Sequence, residues 1–132
     1  MTRARRRVSV GIVKRDMELI RLLLLQQEAG EPFPELETYD SLLVAHHCAL
    51  IIEAGFVVGE VVSDADQGGI PVGAAILRLT WKGHEFLDSI RDPSVWQQAK
   101  DYVLRPGASW TFGILTEFLK AEASKRLGEV LN

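Results

Sequence analysis

Between Arg78 and Asp92 the chain reads Arg-Leu-Thr-Trp-Lys-Gly-His-Glu-Phe-Leu-Asp-Ser-Ile-Arg-Asp, and no other stretch limits the fold so tightly. The residues leading into it, Ala74 to Thr80, have strand composition. Thr80 is a residue type that caps a helix by accepting an N–H of the first turn. Phe86, Leu87 and Ile90 then recur at helical spacing, with Trp81 near the start. A strand therefore passes directly into a capped helix with one apolar face.

Upstream, Met17, Ile20, Leu23, Leu24 and Gln27 predict a helix from about Arg15 to Ala29, with Gly30 as its stop. Leu22 to Leu25 widen its stripe. The two prolines of Glu31-Pro-Phe-Pro-Glu leave no room for helix, and Leu36 to Tyr39 reads as extended. Asp40 or Ser41 is the expected N-cap of a second helix that runs to about Ala54, with Gly55 following its end. Its stripe is Val44, Cys48, Ile51 and Ala54, flanked by Leu43, His47 and Leu50. Apart from His46, His47 and Glu53 it is apolar all round, which signals burial. Phe56 to Val62 and Ala74 to Thr80 bracket a turn-rich loop and predict a β-hairpin. Downstream, Asp92-Pro93 supplies an N-cap and first helical residue for a helix ending near Leu104. Ser109 is expected to start a last helix to about Leu127, with Phe112, Leu115, Phe118, Leu119 and Leu127 inward.

Helix, hairpin and capped helix in that order predict an α+β, mainly α fold: a winged helix-turn-helix-like core, the hairpin as its wing, and additional C-terminal helices. The expected division is a basic, disordered N-terminal extension (residues 1–13), a winged-helix core (14–92), and a helical extension of the same domain (93–132). The 132 residues suffice for one domain with a real core. A single cysteine, Cys48, excludes an internal disulfide and fits a reducing cytoplasm; within an apolar helix it reads as a small buried hydrophobe. The nearest approach to a membrane span, Leu42 to Val58, is broken by His46, His47, Glu53 and Gly55. Arg3 and Arg5 to Arg7 precede an apolar run too short for a signal peptide, which Lys14-Arg15-Asp16 ends. A cytoplasmic protein without a membrane partner is expected.

Three pieces of the chain resemble a small bacterial, phage and prophage winged-helix family of unknown function. They are Lys14-Arg15-Asp16-Met17-Glu18-Leu19-Ile20-Arg21, the run from His47 through Glu53-Ala54-Gly55-Phe56, and Arg78 to Asp92 with Trp96. The resemblance implies the winged-helix fold and a mobile-element origin, and brings no activity, cofactor or catalytic residue. Met1 to Val13 looks like an extension relative to the family's opening, as a start near Val13 would explain. Ala49 stands where the family pattern leads one to expect a polar or basic residue, which weakens any DNA contact from that helix.

Charge placement matters more than the net value of −3. Four of the fifteen basic residues fall in the first seven positions, and Glu31 to Leu77 holds no Lys or Arg but eight acids. Winged helices contact DNA through a recognition helix and a wing, with Lys and Arg on phosphates. Here those two elements are expected inside the span without cations. Two readings follow. The first is a non-enzymatic protein that binds a protein partner through an acidic helix–wing face of Glu53, Glu60, Asp64 and Asp66. The second is a DNA-binding regulator whose contacts come from Lys14, Arg15 and Arg21, with Ser41, Ala45 and His46. Arg3 and Arg5 to Arg7 could then form a minor-groove arm, or simply a solvated tail. A third possibility is a homodimer through the C-terminal helices, with no partner beyond itself.

Motifs for chemistry are absent or incomplete. His84-Glu-Phe-Leu-Asp88 has the spacing of a zinc-protease helix, but Asp replaces the second His, so an ordinary surface pair is expected. Asp64-Ala-Asp66-Gln-Gly-Gly opens like a calcium loop, but the twelfth position is Ala75. Adjacent His46 and His47 project about 100° apart on a helix and cannot easily share an ion, so one should pack inside while the other faces solvent. No catalytic residue, metal site or cofactor is expected, and the chain is read as not an enzyme.

Overall fold

The computed structural model describes residues 14–131, so the N-terminal extension lies outside the described residues. The order is α1 (Met17–Ala29), a 3₁₀ helix (Pro34–Thr38), α2 (Ser41–Glu53), β1 (Val57–Asp64), a 3₁₀ turn (Ala65–Gln67), β2 (Ile70–Leu79), α3 (Trp81–Ile90), α4 (Pro93–Tyr102) and α5 (Phe112–Leu131). Among the described residues the fold is α+β and mostly helical, with five α-helices and one antiparallel hairpin, and it is winged-helix-like. Two compact units divide after His84.

In the first unit α1 packs on α2 and β2, and α2 packs on both strands. α1 starts two residues later than expected because the Asp16 side chain accepts from the Glu18 and Leu19 N–H groups, at 3.1 and 3.2 Å. Met17, Leu19, Ile20, Leu23 and Leu24 form its buried side. The segment read as extended is instead the 3₁₀ helix. Pro34 opens it, where a missing N–H costs nothing, and the Gln26 side chain accepts from the Phe33 N–H at 2.9 Å. Asp40 is the cap of α2. The buried residues of α2 are Ala45, His47, Ala49 and Ile51, while the expected stripe residues Val44, Cys48 and Ala54 are only half-buried. Since neighbours surround α2 on more than one side, no single stripe describes it.

The strands run further than their composition indicated, reaching Asp64 and starting at Ile70. Gly68 and Gly69 adopt φ of 76° and 80°, which closes the tip within a few residues. Pro71 is accepted because a two-stranded sheet has only edges. Val58 faces Arg78 and Gly59 faces Ile76, which leaves Leu77 as an extra residue on β2. Val62 faces Gly73 and Ser63 faces Pro71, which leaves Val72 extra in the same way. Each β-bulge re-aims its extra side chain, and both Leu77 and Val72 are exposed.

In the second unit Phe86, Leu87, Ile90, Val95, Trp96, Ala99, Val103, Leu115 and Leu119 are buried. Asp92 caps α4 through the Ser94 and Val95 N–H groups, which hold its carboxyl below the usual range, helped by Arg126. α5 starts at Phe112 rather than near Ser109, because Thr111 supplies the capping oxygen to the Ile114 N–H. Leu127, expected inward, is 58% exposed, and Phe112 and Phe118 are half-buried. α4 and α5 run antiparallel. Tyr102 lies against Phe118 at one end, and at the other Arg126 donates to Asp92 and Ser94. α4 has ten residues and α5 twenty, so α5 beyond Arg126 overhangs its neighbour.

Candidate functional site

The Thr80-Trp-Lys-Gly83 run proves to be a clasp on the exit of α2. The Thr80 hydroxyl donates to the Gly55 carbonyl and accepts from the Gly83 N–H. The Thr80 N–H donates to the Phe56 carbonyl at 2.9 Å. Lys82 Nζ donates to the Ala54 carbonyl at 3.1 Å and lies 5.4 Å from the centre of the Phe56 ring. A Cβ on Gly83 would come within 1.9 Å of the Phe56 carbonyl oxygen. Two motifs far apart in the chain, Ala54-Gly-Phe56 and Thr80 to Gly83, thus meet as one joint. Thr80, Lys82 and Gly83 of the later motif are committed to it, and Trp81 between them is 80% exposed.

The four acids of the expected partner face do not converge. Glu53 ends α2, Glu60 lies on β1 opposite Ala75, and Asp64 and Asp66 are at the hairpin tip. β1 alone spans about 23 Å between Val57 and Asp64 at some 3.3 Å per residue. They are strung out from the end of α2 to the hairpin tip rather than gathered in a pocket. Glu53, Glu60 and Asp66 are exposed. Asp64 is half-buried and turned into the tip, accepting from the Asp66 N–H at 2.9 Å and the Gln67 amide at 2.6 Å. The cation Lys82 sits at the Glu53 end, beside the end of α2.

Of the residues expected to touch DNA, Lys14, Arg15 and Ser41 are exposed, and Arg21 and His46 half-buried. Ala45 is only 4% exposed and belongs to the core, so the structure removes it from that set. Ala49, 6% exposed, is likewise a core position. His47 is fully buried. Its Nε2 accepts from the Asp16 N–H at 2.8 Å, which requires the proton on Nδ1, and Nδ1–H donates to the Leu43 carbonyl at 2.9 Å. Burial holds its pKa below the ordinary imidazole value. His84 and Asp88 are not joined by a bond; Asp88 instead pairs at 2.7 Å with Arg91, the residue just past the end of α3. Among the described residues no group of three or more His, Cys, Asp or Glu could hold a metal ion. Among the same residues no helix is long and apolar enough to cross a membrane.

Sequence reasoning missed a groove. Gln27 and Glu28 of α1, Leu77, Arg78 and Leu79 of β2, Trp81 and His84 line an open depression of about 610 Å³. Leu77 is 73% exposed, pushed out by the bulge, and it shares the depression with Trp81. No linear motif announces this, because the wall depends on a one-residue slip in strand register.

The model of the family described as "Hypothetical protein (DUF2513)" matches residues 14–109. A protein of Haemophilus influenzae (strain ATCC 51907 / DSM 11121 / KW20 / Rd), named "Uncharacterized protein", is 36% identical over 95 residues. That similarity covers 67% of this chain and 76% of the Haemophilus protein. No solved structure matches the chain.

Proposed function

The chain belongs to the family described as Hypothetical protein (DUF2513), and from that premise we propose a non-enzymatic, winged-helix protein of phage or prophage type that binds a basic protein partner. The partner meets the stripe formed by Glu53, Glu60, Asp64 and Asp66. One observation carries the reading: from Glu31 to Leu77, a span that contains all of α2 and β1, there is no Lys or Arg. A nucleic-acid surface built there would set carboxylates against phosphates, whereas a basic protein surface gains orientation and encounter rate from the same charges. The test is capture of proteins from the host lysate by the tagged chain and by a variant with Glu60, Asp64 and Asp66 all changed to Lys. The reading expects a captured protein that the variant loses. Equal capture by both removes its basis.

The exposure of Lys14, Arg15 and Ser41 favours a second reading, a DNA-binding regulator that uses the start of α1. Alanine at Lys14, Arg15 and Arg21 would then flatten the salt dependence of DNA binding. An unchanged slope counts against it.

A further inference from the structure

The hairpin has one packed face and one exposed face. Val57 is buried, and α2 lies against both strands. Side chains alternate across a strand, so Val58, Glu60 and Val62 of β1 point to the other face, and all three are exposed. From Gly59 to Val62 the pairing is regular, with Ala75 opposite Glu60 and Gly73 opposite Val62. The extra residue of the bulge at Leu77 belongs to β2, so β1 keeps its alternation through Val58. Beside Glu60 and Val62, β2 therefore adds only a methyl group and a hydrogen. A Cβ built on Gly73 would meet nothing within 4 Å. The result is a shallow apolar shelf with a carboxylate at its centre. Arg78, opposite Val58, bounds the shelf at the base of the hairpin. Among the described residues no cation pairs with Glu60.

We propose that the basic partner presents an amphipathic α-helix that lies along β1 on this shelf, with a Lys or Arg over Glu60 and apolar residues over Val58 and Val62. The proposal rests on the protein-partner reading and adds the form of the contact. The charge of the occupant follows from Glu60 and from the absence of Lys and Arg between Glu31 and Leu77. Its form follows from spacing. Alternate residues of a strand are about 6.7 Å apart, and residues four apart on a helix rise about 6.0 Å. A helix with apolar, basic and apolar residues at i, i+4 and i+8 therefore keeps step with Val58, Glu60 and Val62. A helix also satisfies its own backbone groups, whereas a strand laid on a sheet face leaves its N–H and C=O groups unpaired. Docked there, the partner gives the hairpin a helix on each face, so that both sides of the sheet are covered.

Fluorescence anisotropy of the full chain with two labelled peptides of about 18 residues, long enough to form a helix, tests it. Both contain Leu, Lys and Ala in the same amounts. In the first, Leu, Lys and Leu recur at i, i+4 and i+8; in the second the order is shuffled so that no helix face is apolar. The first peptide should bind at least about tenfold more tightly than the second. Val62→Ser should weaken the first about fivefold and leave the second unchanged. Glu60→Lys should weaken both, and more so at low salt. Both positions are exposed, so circular dichroism should show folding intact. Equal affinity for the two peptides overturns the helix inference, as does binding of neither. Binding of the first peptide that Val62→Ser leaves unchanged also overturns it, while a contact through the acids alone survives that result. Binding that Glu60→Lys leaves unchanged removes the protein-partner reading together with the inference built on it.

Discussion

His47 joins the start of α1 to α2 with both ring nitrogens in use. Protonation would turn Nε2 into a second donor facing the donor N–H of Asp16, and burial opposes the charge as well. The folded-state pKa is therefore lower than the unfolded one. The unfolded chain binds the proton first as pH falls, so the contribution of His47 is complete above about pH 6.5 and shrinks below it towards the folded value. We expect His47→Phe to cost about 2 kcal/mol at neutral pH by denaturant unfolding. The gap to wild type should narrow towards pH 5 or so; one that stays constant would refute the assignment. Cys48 is the neighbouring case. Burial pushes its thiol up and keeps it protonated. Alkylation by iodoacetamide at neutral pH should accordingly be slow in the folded chain and rise on unfolding. From sequence, His47 was one of two adjacent histidines of which one should pack inside, and only the position of Asp16 in space identifies which.

At the scale of elements, the joint between Ala54-Gly-Phe56 and Thr80 to Gly83 orders its own residues by consequence. Gly83→Ala drives a Cβ into a backbone carbonyl that cannot swing aside, and we expect a loss of about 3 kcal/mol. Thr80→Ala removes a cap and a tie to Gly55, at about 1–2 kcal/mol. Trp81→Ala, one residue away, should stay within about 0.5 kcal/mol. Thermal unfolding of the three variants checks the order, and a Trp81 variant as damaging as the Gly83 variant would refute it. The helix cap at Thr80 was legible because its signal is local: a side-chain oxygen and an N–H three residues on. The clash at Gly83 was not, since its partner lies 27 residues upstream. The same contrast explains the prolines before α2. They indicated a helix break correctly, yet the chain there forms a 3₁₀ turn anchored by Gln26.

For the whole molecule, the decisive quantity is where charge sits. A chain of residues 14–132 keeps α2 and a wing whose only cation is Arg78, near its base. We expect its fluorescence-anisotropy titration with mixed-sequence duplex DNA to show no salt-dependent binding at moderate ionic strength, with any binding by the full chain confined to Arg3 and Arg5 to Arg7. Tight, steeply salt-dependent binding retained after truncation would favour the regulator reading over the protein-partner reading. The order of helices and hairpin, the caps at Thr80 and Asp92, and the distribution of charge along the chain could all be read from residue order alone. Each of these is written in residue types or in patterns that repeat within a few positions. Which face of α2 is buried, which acids stay exposed, and the bulge at Leu77 that opens a groove beside Trp81 emerged only from packing. Those outcomes depend on register and on close approach between segments distant in the chain, and neither leaves a periodic trace in the sequence.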